Sequence, residues 1–131
     1  ITGTGKETRD FNFCENTTDA IVLAASRSHT ANHNYSCFNV GTGVETTILD
    51  LAERVVSLTG GQSDIKILGK RRGWDKTVRR CACIEEISKK LGYVPQVTLD
   101  EGLPLTVAWL RDKWMNSNEH AAEHLGSTRA A

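Results

Sequence analysis

The apolar residues of this chain fall into runs too short to build a sheet of their own, and these runs alternate with longer helical stripes. The best-marked stripe is Ile48–Leu58, where Ile48, Leu51, Ala52, Val55, Val56 and Leu58 recur at helical spacing. Thr47, with Asp50 three residues on, makes a capping box before it, and Gly60-Gly61 supplies the left-handed position that ends it. Candidate strands are Arg9–Cys14, Tyr35–Val40 and Ile65–Leu68, with a further strand or extended piece over Cys81–Ile84. Asn16 with Asp19 reads as the start of a second helix running through Ala20–Ala25. A short helix over Glu85–Leu91 is closed by Gly92, and a last one lies within Leu99–Trp114. Residues 116–131 are either a polar tail or a helical extension.

Alternating strands and helices give an α/β class, or α+β if these residues are a fragment. A doubly wound sheet needs more strands than this, with cover on both faces. Further structure is therefore expected upstream, and a start at Ile1 without Met agrees with that expectation. The 131 residues suffice for one core. Sixteen Lys and Arg against sixteen Asp and Glu leave no net charge to draw the chain to nucleic acid or anionic lipid. No apolar run approaches the ~20 residues of a membrane span, and no basic-then-apolar leader is visible. The expectation is a cytoplasmic protein without membrane or nucleic-acid partners. Cys14, Cys37, Cys81 and Cys83 form no C-x-x-C and read as reduced thiols, while His29 and His33 sit in a polar loop, so no metal is expected.

The stretch 65–80 concentrates cations: Lys66, Lys70, Arg71, Arg72, Lys76, Arg79 and Arg80 against Asp75 alone. Such a run is a solvated loop, an anion site or a nucleic-acid surface, and arginine forks suit phosphate. Arg9 follows a Gly-containing turn at a strand start, placed to project into a cleft or to pair with Asp10 or Glu15. Gly41-Thr42-Gly43, between a strand and a capped helix, suits an anion at a helix N-terminus. It is not a G-x-G-x-x-G, and no G-x-S-x-G or H-E-x-x-H occurs. From its residues, the chain is equipped to bind an anion and shows no nucleophile.

Several stretches then read together: GTGKETRDFNFCENTTDAIVLAA, FNVGTGVETTILDLAERVVSLTG and KRRGWDKTVRRCACIEEISKKLGYVPQVTLDEGLPLTVAWLRDKW. In this order they resemble the C-terminal, substrate-binding part of the extended short-chain dehydrogenases, the NAD-dependent nucleotide-sugar epimerases and dehydratases, and UDP-glucose 4-epimerase-like members in particular. The resemblance covers residues 1–115, taken as one nucleotide-sugar-binding domain, with 116–131 outside it. It implies that Arg9 and Arg72 contact a nucleotide diphosphate, that Asp75 contacts the ribose and that Ile48 lies beside the nucleotide. It implies a UDP-sugar as partner, NAD for the intact enzyme with no NAD site in these residues, and admits a homodimer. Arg79 stands where UDP-galactose 4-epimerases often carry an aromatic residue, which leaves base and sugar open. The family's glycine-rich NAD loop and its Tyr-x-x-x-Lys pair are absent: four places after Tyr35 and Tyr93 come Asn39 and Val97. Two readings follow: the substrate-binding portion of such an enzyme, not catalytic on its own, or a stand-alone binding module without activity.

Overall fold

The computed structural model describes residues 1–27, 36–70, 73 and 77–127, with side chains as far as Trp114. Its order is β1 (Thr8–Arg9), α1 (Cys14–Arg27), β2 (Thr46–Thr47), α2 (Ile48–Thr59), β3 (Arg79–Arg80), α3 (Glu85–Leu91) and α4 (Leu99–Ser127). The small α/β fold matches the class read from the sequence, and the two helices with clear punctuation fall where their caps put them. The Thr47 hydroxyl accepts from the Asp50 amide at 3.0 Å, and Gly60 turns left-handed at φ 103° behind α2. Gly92 does the same behind α3, its N–H on the Ser88 carbonyl. α4 opens on a cap of its own, the Glu101 carboxylate accepting from the Thr98 amide and hydroxyl at 2.9 and 2.8 Å. It runs unbroken through residues 116–127.

The strands differ from expectation. β1 is central, antiparallel to β2 (Arg9 opposite Thr46) and parallel to β3 (Arg9 opposite Arg80). Pairing therefore rests on Thr and Arg rather than on the apolar alternation that marked Arg9–Cys14 and Tyr35–Val40. Phe11 and Phe13 lie between β1 and α1, outside the ladder, and Ser36–Val40 form no strand; Tyr35, His29 and His33 lie outside the described residues. Ile65–Leu68 is extended without joining the sheet. It is tied instead to the start of the chain, Leu68 N–H to the Ile1 carbonyl at 2.9 Å and the Ile1 amine to the Lys66 carbonyl at 2.7 Å. β3 ends before Cys81–Ile84.

α1 also starts earlier than its expected cap. Asn16 is fully buried inside the helix, where its carbonyl accepts from the Gln96 and Val97 amides, both at 2.9 Å. Its NH₂ donates to the Val97 carbonyl at 2.8 Å, so one side chain clamps the extended 96–97 segment to α1. That clamp serves the core, in which Ala20, Ile87, Leu91 and Tyr93 are buried with Leu23, Phe38, Val40 and Ile84 packed around them. α2 and α4 meet through an Arg54–Asp100 ion pair, and Arg111 donates to the Leu58 carbonyl at 3.2 Å. Among the described residues Leu105, Trp109, Leu110 and Trp114 of α4 are exposed, as are Ile21 and Val22 of α1.

Candidate functional site

The site is built around one carboxylate. Asp10 follows β1, and its two oxygens accept from the Thr42 amide at 3.0 Å, the Gly43 amide at 3.0 Å and the Ala82 amide at 3.3 Å, with the Thr42 hydroxyl beside them. Partial burial pushes this carboxyl up, but the hydrogen bonds from Thr42, Gly43 and Ala82 outweigh it and hold the group below the ordinary aspartate range. Gly41 has to be glycine for this approach, since a Cβ there would meet Asp10 Oδ2 at 2.5 Å and Ala82 Cβ at 2.6 Å. The Gly41 carbonyl in turn accepts from the buried Tyr93 hydroxyl at 2.9 Å. Burial, then the charges of Asp10 and Asp19, push that phenol up. Three stretches distant in sequence, Arg9-Asp10, Gly41-Thr42-Gly43 and Ala82 to Tyr93, thus close into one joint.

This joint corrects the reading of Gly41-Thr42-Gly43 as an anion cradle. The anion it holds belongs to the chain. Nor is the start of α2 open to phosphate, because Ile48 N–H goes to the Glu7 carbonyl at 2.9 Å, Leu49 N–H to Gly5 at 3.0 Å and Asp50 N–H to Thr47.

The two faces of the short sheet are chemically different. On one, Thr8 donates to Glu45 at 2.7 Å and Arg79 forks onto both Glu45 oxygens at 2.9 and 2.7 Å. The Arg79 hydrogen bonds, then that from Thr8, lower the Glu45 carboxyl to about 2. The other face carries Arg9 and Arg80, partners in register, since successive strand residues point to opposite sides. Both line a cleft of about 490 Å³, with Asn12, Val40, Gly41 and Cys81 around it. Arg9 Nη1 donates to the Thr8 carbonyl at 2.7 Å and to the carbonyl of Val78, the residue before β3, at 3.3 Å.

Of the residues singled out from the sequence, Arg9 lines this cleft. Ile48 opens α2, two positions beyond the Thr46 that pairs with Arg9, and is not part of the cleft lining. Arg72 and Asp75 lie outside the described residues. Arg80 was hidden in the basic run, and only its register beside Arg9 distinguishes it from its neighbours. The four cysteines are free and exposed, and no cluster of metal-ligating side chains occurs among the described residues. No described helix is long and apolar enough to cross a membrane.

The architecture matches part of solved epimerases. A solved epimerase of Methanothermobacter thermautotrophicus matches with a TM-score of 0.80 at 29% identity, over 91% of this chain and 34% of that one. A Bordetella bronchiseptica enzyme solved in complex with NAD+ and UDP matches with a TM-score of 0.68 at 27% identity, over 95% of this chain and 35% of that one. By sequence, the UDP-glucose 4-epimerase of Mycolicibacterium smegmatis is 33% identical over 114 residues, 86% of this chain and 34% of that protein. No family model matches. The chain belongs to the NAD-dependent epimerases and dehydratases of the short-chain dehydrogenase type and spans about a third of the length of the curated relatives it matches.

Proposed function

We propose that residues 1–115 are the nucleotide-sugar-binding portion of an NAD-dependent sugar-nucleotide epimerase or dehydratase, not catalytic on their own. The observation that carries the reading is Arg9, held by the central strand at a cleft whose size suits a small ligand. Arg9 and Arg72 contact the diphosphate by charge-assisted hydrogen bonds, Asp75 accepts from the ribose hydroxyls, and Ile48 packs beside the nucleotide. A UDP-sugar is the expected ligand, in keeping with the UDP held by the Bordetella enzyme. The contribution to catalysis is positional, since a fixed diphosphate fixes the sugar at its far end.

NAD supplies the hydride chemistry of such an enzyme. Tyr-x-x-x-Lys and the glycine-rich loop do not occur in these 131 residues, so that chemistry is carried by groups outside them. That absence also favours the second reading, a binding module without turnover, which shares the site. A cytoplasmic setting and a homodimer accompany both readings.

Titration calorimetry of the chain with UDP and UDP-glucose tests the proposal. Loss of one charge-assisted contact in Arg9→Gln is worth about 1.5–3 kcal/mol, a ten-fold or greater weakening. Affinity equal to that of the unaltered chain removes Arg9 from the site.

A further inference from the structure

The backbone that carries Ala82 into the joint also sets two thiols side by side. The Ala82 amide donates to Asp10 Oδ2 at 3.3 Å, and the Ala82 Cβ lies 2.6 Å from where a Cβ at Gly41 would stand. Ile84 turns the same way, with its Cδ1 3.5 Å from the corresponding point at Gly43, and packs against the core. Two inward positions two residues apart mark an extended segment, and the residues alternating with them face the other way. Those residues are Cys81 and Cys83, both free and exposed. Alternate residues of an extended chain lie about 6.4–6.8 Å apart, at the upper end of the Cα separations that a disulfide spans. A bond between the two sulfurs is therefore within reach, and forming it draws the two residues together by up to about 1 Å. The residue that has to buckle is Ala82, whose hydrogen bond to Asp10 is the longest of the joint. Burial, then the charges of Asp10 and Glu45, push the Cys81 thiol up, so no stabilised thiolate holds this sulfur in the reduced state.

We propose that Cys81 and Cys83 are a redox pair that closes to a disulfide by exchange with a low-molecular-weight disulfide such as oxidised glutathione, and that closure releases Ala82 from Asp10. One cysteine thiolate attacks a glutathione sulfur, which forms a mixed disulfide and expels one glutathione thiolate. The other cysteine attacks the protein sulfur of that mixed disulfide and expels the second. Two electrons pass from the cysteine sulfurs to glutathione, and the two thiol protons end on the released glutathione thiols. The site is independent of the ligand that the cleft takes, and it makes the joint beneath that cleft sensitive to redox state. By linkage, a change that weakens the hydrogen bond from Ala82 to Asp10 favours the disulfide.

The test equilibrates the unaltered chain with glutathione buffers of graded ratio, alkylates the remaining thiols and reads the tryptic peptide 81–89 by mass spectrometry. Cleavage after Arg80 and Lys89 separates the pair from Cys14 and Cys37. The peptide is expected to lose two hydrogens and carry no glutathione, in proportion to oxidised glutathione over the square of reduced glutathione. Cys83→Ser is expected to carry glutathione on Cys81 instead, in simple proportion to the ratio of oxidised to reduced. Amide exchange at Ala82 is expected to quicken at least about five-fold in the oxidised chain, and Asp10→Asn to favour closure by a similar factor, the worth of one hydrogen bond. A peptide that stays a dithiol, takes up glutathione without closing, or links to Cys14 or Cys37 overturns the pair. Closure with unchanged exchange at Ala82, or with the same equilibrium constant in Asp10→Asn, overturns the release of the joint.

Discussion

Asp10→Asn probes the joint that holds the cleft open and leaves the shape of the side chain almost unchanged. Oδ1 of Asp10 accepts from Thr42, while Oδ2 accepts from the amides of Gly43 at 3.0 Å and Ala82 at 3.3 Å as well as from Thr42. Asparagine keeps one oxygen and turns an NH₂ toward the second set of donors. Two backbone N–H groups then lose their acceptor. At about 1 kcal/mol each, the low end for a group that water partly reaches, the loss is about 2 kcal/mol. For a chain of this size that lowers the melting temperature by about 8 °C. Thermal unfolding by circular dichroism measures the shift, and amide exchange at Gly43 and Ala82 locates it. The sign with pH is also set. The folded carboxyl titrates below its ordinary range, so its contribution is complete above about pH 4 and fades as pH falls through the lowered value. The difference between Asp10→Asn and the unaltered chain should therefore shrink in acid. A variant that melts within about 2 °C of the unaltered chain at pH 7, with those amides exchanging at the same rate, refutes the account of the joint.

Two further changes test parts remote from the cleft. Asn16→Ala leaves the Gln96 and Val97 amides without their acceptor beside a buried void and should cost about 3 kcal/mol or more, read as a melting temperature lower by roughly 12 °C. Glu45, lowered to about 2 by Arg79 and Thr8, stabilises the fold above its ordinary value near 4.5 and ceases to do so as pH falls toward 2. Glu45→Gln should accordingly flatten the acid limb of stability between about pH 5 and 2, and an unaltered limb refutes the Glu45–Arg79 tie.

The helices were legible because their determinants are local. Thr47, Gly60 and Gly92 act on backbone within four residues of themselves, and each does in the fold what its residue type suggests. Asn16 was misread for the opposite reason. Its residue type fits a cap, but its partners are Gln96 and Val97, some eighty positions away, and no local pattern encodes them. Thr98 with Glu101 carried a readable cap signal that the apolar pattern of Leu99–Trp114 obscured.

The strands escaped because apolar alternation reports a sheet face turned to a core, and neither face of this sheet is. One face is closed by the Glu45–Arg79 fork and the other opens on the Arg9 cleft, so the paired positions are Thr8, Arg9, Thr46, Thr47, Arg79 and Arg80. The apolar residues nearby, Phe11 and Phe13, belong to a groove between α2 and α4 instead. The same fact governs how the candidate site could be read. Arg9 is visible as a cation at a strand start after a glycine turn, whereas Arg80 is one of seven cations in a run of sixteen residues. A parallel register of two residues separates it from Arg79, giving one arginine to structure and the other to the cleft. A one-residue slip of β3 would exchange their roles, since side chains alternate with period two. The amides that fix that register are Thr8 on the Val78 carbonyl and Asp10 on the Arg80 carbonyl, both at 2.9 Å. Asp10 thus fixes the register through its backbone and the neighbouring Ala82 through its side chain, so the residue after Arg9 also decides which arginine stands beside it.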